Sequence, residues 1–102
     1  MDVTIGDNVK ESRYEIFVDG QPAGVEVYEL GEGRISLVHT EVDRSFAGQG
    51  LAPQLVTYAL NDARSRGLAV LPFCPYVASF IREHAEEYRD LVPEAERAQF
   101  NL

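Results

Sequence analysis

Two glycines, Gly48 and Gly50, stand between an alternating run, Arg34 to Val42, and a run of helical spacing through Leu51, Leu55, Ala59, Leu60 and Ala63. A strand that ends in glycines and opens a helix leaves free backbone N–H groups at the positive end of the helix dipole. That arrangement suits phosphate or pyrophosphate. Glycine there lets the backbone take φ > 0 and approach a ligand closely. An ordinary turn uses such a pair too, but the strand before and the helix after favour an anion site for Ala47-Gly48-Gln49-Gly50-Leu51-Ala52.

Three side chains could move a proton or carry a group. His39 and Glu41 lie two apart on the predicted strand, so they share one face near its C-terminal end. Either could take a proton from an attacking amine, and His39 ranks first because an imidazole ordinarily titrates near neutrality. The plainer readings are a half-buried strand histidine and a solvated strand-end carboxylate. Cys74 ends a short apolar run just before Pro75, a residue suited to the first turn of a helix. A thiol at a helix start is either a nucleophile or a small buried apolar residue. His84 reads as a packing or surface residue. Two histidines and one cysteine at these spacings form no zinc signature, and no metal is expected.

The elements that must position these residues follow from pattern and punctuation. Arg13 to Val18 alternates, with Tyr14, Ile16 and Val18 on one face, and Asp19-Gly20 supplies a hairpin turn. Ala23 to Leu30 carries Val25 and Val27 on one side, and Gly31-Glu32-Gly33 leads into Arg34–Val42. Such short connections predict an antiparallel three-strand meander. The glycine turn then opens a long helix closed by Arg66-Gly67. Leu68 to Phe73 reads as a buried strand, parallel to Arg34–Val42 because the chain returns through a helix. A second helix from Pro75 carries Val77, Phe80, Ile81 and His84, and the polar residues 93–102 are expected to be less ordered. The fold class is α/β (α+β), a single domain over 1–102.

Composition narrows the partners. Seventeen acidic residues against 9 basic give a formal net charge of −8, the reverse of what nucleic-acid binding needs. Acidity favours solubility and draws a cationic partner, an amine or a basic peptide. No apolar run approaches bilayer thickness, so no membrane partner is expected. The N-terminus lacks signal-peptide regions, and one cysteine suits a reducing compartment. A cytoplasmic monomer is expected.

Glu41-Val42, Gly48-Gln49-Gly50-Leu51-Ala52, Leu55-Val56, Ala59-Leu60 and Ala63-Arg64-Ser65-Arg66-Gly67-Leu68 together resemble motif A of the Gcn5-related N-acetyltransferases. Leu71-Pro72-Phe73-Cys74-Pro75-Tyr76-Val77, with Phe80-Ile81 and Glu83-His84, resembles a minimal single-domain subgroup called YjdJ-type. The resemblance runs from about Tyr14 to Val92. It implies acetyl-coenzyme A, its pyrophosphate held by the backbone of Val42, Ala47, Gly48, Gln49, Gly50, Leu51 and Ala52. It also places Tyr76 and Phe80 beside the pantetheine arm. The implied reaction passes acetyl to an amine of a small molecule or basic peptide. His39 or Glu41 would serve as base, or Cys74 would carry the acetyl group. The chain departs from the family in two respects. Ala47 stands where Arg or Gln is usual, with Arg44 or Arg82 as replacements, and the helices that wall the acceptor site are missing, which implies a shallow, open site. A coenzyme A-binding module without significant catalysis is the main alternative. An interaction domain with a purely structural glycine turn is another.

Overall fold

Hairpin chemistry folds the first half of the chain back on itself. A computed structural model describes Met1–Leu102 and builds one sheet from β1 (Val3–Asn8), β2 (Arg13–Val18), β3 (Gln21–Gly31), β4 (Arg34–Val42) and β5 (Ala69–Pro72). The spatial order is β1-β2-β3-β4-β5, antiparallel through β4 and parallel between β4 and β5. Asp19 and Gly20 both take positive φ in the two-residue β2–β3 turn, as a primed hairpin turn requires. The sheet is mixed, as expected, but it has four antiparallel strands before the first helix rather than three. The extra strand, β1, carries only two apolar residues before Gly6-Asp7-Asn8, so no alternation announces it. Its partners hold it: Val3 pairs with Val18 and Ile5 with Ile16, and the Tyr28 hydroxyl donates to Asp7 Oδ1 at 2.7 Å.

Two helices cover one face of this sheet. Helix α1 (Leu51–Ser65) buries Leu51, Leu55, Val56, Ala59, Leu60 and Ala63 as a single stripe. Its end is tied by Gly67, at φ 68°, whose N–H donates to Arg64 O while Leu68 N–H donates to Ala63 O. Helix α2 (Pro75–Glu83) buries Val77, Ala78, Phe80 and Ile81, with Pro75 in its first turn. Core-facing residues of β2, β3, β4 and both helices merge into one cluster of 23 buried residues. The opposite face of the sheet has no helix on it. No helix is long and apolar enough to cross a membrane.

Beyond α2 the chain forms a short helix α3 (Ala85–Tyr88), then 3-10 turns at Arg89–Leu91 and Glu94–Phe100, the last of them within the polar residues 93–102. Arginines hold the last residues through their backbone carbonyls. Arg82 donates to the carbonyls of Phe100 and Asn101 at 3.0 and 3.1 Å, and Arg89 to that of Leu102 at 2.9 Å. Phe100 is 8% exposed and meets Phe73 edge-on at 5.1 Å. Replacing Phe100 by Ala is expected to lower the unfolding free energy by about 3 kcal/mol, read from the urea midpoint. An unchanged midpoint would mean that the tail contributes nothing to the core.

Candidate active site

The geometry of the site begins where β4 loses its partner. β4 and β5 pair only from Arg34–Ala69 to Leu37–Pro72, so the β5-facing edge of β4 from Val38 to Val42 carries no strand. Cys74 N–H makes the last tie, donating to Leu37 O at 2.9 Å. On the other edge the β3–β4 register slips: Tyr28 pairs with Leu37 and Val27 with His39, leaving Val38 as an extra residue. This bulge reverses the alternation. Ile35 and Leu37 face the core before it, and Thr40, paired with the buried Glu26, faces the core after it.

The glycine turn lies at the far end of the same strand. After Val42 the chain makes a 3-10 turn, Arg44–Phe46, capped by the Asp43 carboxylate on Ser45 N–H at 2.9 Å. Gly48 and Gly50 then take φ of 79° and 71°, the left-handed conformation that only glycine adopts without cost. Gly50 is the N-cap of α1 and supplies no side chain, so the N–H groups of Leu51 and Ala52 have no cap. The N–H groups of Gly48, Gln49 and Gly50 make no hydrogen bond within the turn either. A pocket of about 290 Å³ is lined by Val42, Ala47, Gly48, Gly50, Leu51 and Ala52, together with Phe46 and Pro53. No basic side chain lines it. Of the two arginines offered as substitutes at Ala47, Arg82 is committed to the C-terminal carbonyls, and Arg44 borders a recess elsewhere.

Cys74 is 4% exposed and forms the N-cap of α2. Its Sγ lies 3.3 Å from Thr40 Oγ1, and Thr40 donates its hydroxyl proton to Glu26 Oε1. Glu26 is 0% exposed, its Oε2 has no hydrogen-bond partner, and it is the one buried charged residue of the chain. Burial pushes its carboxyl up to about 7, opposed by the hydrogen bond from Thr40 and by the nearby His39 backbone N–H. Sequence reading missed both Glu26 and Thr40. Flanked by Val25 and Val27, Glu26 has the look of a solvent-facing strand residue. Only its register opposite Tyr14 turns it inward.

His39 and Cys74 lie on opposite faces of β4. His39 and Glu41 share a face, opposite Val27 and Val25, but it is the open outer face, and both are exposed. Glu41 borders a recess of about 630 Å³ there with Arg13, Glu15, Phe17, Val25 and Arg44. Tyr76 is 40% exposed at the start of α2. Phe80 is turned into the fold, stacked on His84 at 4.2 Å and 6.2 Å from Tyr88. Glu26 also sets a measurable pH dependence. Because the folded carboxyl is raised from 4.5 to about 7, its share of stability is fully present below 4.5 and is lost as pH rises through 7. That share is about 3 kcal/mol. Urea titrations of the wild type and Glu26→Gln should diverge across this window, and parallel curves would sink the assignment.

Residues 13–91 match the family model described as GCN5-related N-acetyl-transferase. No curated protein matches the chain. Among solved structures, the chain is similar to Ard1 from Thermoplasma volcanium, with a TM-score of 0.53 and 22% identity over 61% of this chain and 43% of that one. The likeness at that identity is one of fold, and the chain spans less than half the length of that neighbour. These findings do not single out a subgroup. A strand that parts from its parallel neighbour, ending in a glycine turn on a helix start, is thus matched by a family model over most of its length, and the chain belongs to the GCN5-related N-acetyl-transferase family.

Proposed function

We propose that this chain transfers an acetyl group from acetyl-coenzyme A to an amine of a cationic small molecule or a basic peptide. The observation that carries this reading is the row of unpaired N–H groups from Gly48 to Ala52, set at the end of a strand whose edge is free from Val38 onward. Backbone donors at a helix start suit a pyrophosphate, and a free strand edge suits an extended, amide-bearing arm. With no Lys or Arg on the glycine pocket, binding would rest on Gly48, Gln49, Gly50, Leu51 and Ala52 through their backbone.

Two routes to the product use opposite faces of β4. On the outer face Glu41 borders the recess and His39 lies on the same face of β4, so a neutral amine there would find Glu41 or His39 to take its proton. Glu15 is tied to Arg13 at 2.8 Å, while Glu41 has no ion-pair partner. The net charge of −8 favours a cationic acceptor over an anionic one. On the core face, Cys74 is the nucleophile available.

Titration calorimetry with coenzyme A, beside a turnover assay over a panel of amines and basic peptides, tests the reading. Wild-type protein should bind and turn over at least one acceptor. Gly50→Ala forces a left-handed non-glycine residue, a strain of about 1–2 kcal/mol, and should weaken coenzyme A binding roughly tenfold. Binding without turnover on any acceptor would favour a coenzyme A-binding module. Absence of binding would overturn the proposal.

A further inference from the structure

Donor counting fixes the direction of the buried line that joins Glu26, Thr40 and Cys74. A threonine hydroxyl carries one proton. With Glu26 ionised, Thr40 gives that proton to Glu26 Oε1, so in its 3.3 Å contact with Cys74 Sγ the oxygen accepts and the thiol donates. We infer that Glu26, acting through Thr40, is a positioning residue that draws the Cys74 thiol proton inward as Sγ attacks an acetyl thioester. The identity of the acetyl donor rests on the coenzyme A reading above, whereas the link between Glu26 and Cys74 does not.

Packing alone gives no reason for a carboxylate here. Glu26 sits opposite Tyr14 within the apolar cluster, with no ion-pair partner and with Oε2 unsatisfied, an arrangement that destabilises the fold unless the carboxyl takes up a proton. The titratable groups around it are few. Tyr14 faces it from β2 but donates its hydroxyl to Asp62 at 2.6 Å. α1 packs across β3 with only Leu51, Leu55, Val56, Ala59, Leu60 and Ala63 buried. β4 contributes Thr40 and the His39 backbone N–H, and the β5–α2 junction contributes Cys74. A carboxyl held near 7 can accept and return a proton at neutral pH.

The transfer balances in two steps. In the first, Sγ bonds to the acetyl carbon and the thioester C–S bond breaks. The thiol proton moves to Thr40 Oγ1 as the Thr40 proton moves to Glu26 Oε1, and the donor leaves as a thiolate that water protonates. In the second, a neutral amine bonds to the acetyl carbon and Sγ leaves, recovering its proton along the same line. The amine nitrogen releases one proton to water. Nothing is oxidised or reduced.

The chain has a single cysteine, so intact mass spectrometry with a Cys74→Ala control reads its acetylation. Two donors should be used with acceptor withheld: acetyl-coenzyme A, and p-nitrophenyl acetate, which needs no pyrophosphate site. The wild-type rate should rise with pH through an inflection near 7 for both donors. Glu26→Gln and Thr40→Val should each slow it about a hundredfold and remove the inflection, while Thr40→Ser should restore both. Equal rates and profiles in wild type and Glu26→Gln would overturn the inference. So would coenzyme A binding by calorimetry with no adduct at Cys74 from either donor. An adduct from p-nitrophenyl acetate alone, lost in Glu26→Gln, would support the role of Glu26 while retiring acetyl-coenzyme A as the donor.

Discussion

The separation of β4 from β5 at Leu37–Pro72 is the constraint on which the rest of the site depends. Pro72 has no N–H, so a ladder reaching it has no further donor there. Phe73 N–H turns back onto Leu71 O at 3.0 Å, Cys74 N–H takes Leu37 O, and Pro75 starts a helix that leads the chain away from the sheet. Two prolines thus bracket Cys74 and fix it against β4 where pairing ends. The strand itself runs on to Val42 with only β3 beside it and delivers the glycine turn to the start of α1. A longer β5 would pair along the same edge of β4.

The bulge at Val38 decides which face of β4 each residue beyond it takes. Without the extra residue, His39 and Glu41 would continue the phase of Ile35 and Leu37 and point into the core. With it, the core receives Thr40 and the solvent face receives the two ionisable residues. The exchange lets Thr40 stand between Glu26 and Cys74. It also keeps the imidazole and the Glu41 carboxylate hydrated, which avoids two further buried ionisable groups. Glu26 remains as the place where local chemistry and burial disagree, and such conflicts concentrate at functional sites.

Much of the scaffold was legible because its signals are local. The stripe from Leu51 to Ala63, the Gly67 stop and the Asp19-Gly20 turn each declare themselves within a few residues. The parallel pairing of β5 followed from the length of the crossover. β1 was not legible, since Val3 and Ile5 gain their meaning only from Val18 and Ile16 across the ladder. The bulge left a trace that an alternation template passes over: Leu37-Val38 are consecutive apolar residues, and the even phase of Thr40 and Val42 takes over after them. Glu26 left none, because its burial is set by register with β2 and not by its neighbours in sequence. Cys74, His39 and Glu41 were found as residue types, but which of them meet was a matter of strand phase.

The proposed chemistry also asks one acidic chain to serve two partners of opposite charge. A net charge of −8 opposes a pyrophosphate at long range and favours a cationic amine. Counter-ions screen that field within about 8 Å at physiological ionic strength, whereas hydrogen bonds from aligned N–H groups act at contact. A backbone site such as Gly48 to Ala52 therefore needs no basic side chain to offset the global field, only donors left without other partners. Ala47, a departure from the resemblance, is compatible with such a site because its N–H belongs to the turn whatever its side chain. Its own N–H is already given to Arg44 O at 3.2 Å, so the donors that remain for a ligand begin at Gly48. The unpaired backbone donors are in this way confined to Gly48–Gly50 and the first turn of α1, and the proposed reaction leaves the acidic surface to attract the acceptor.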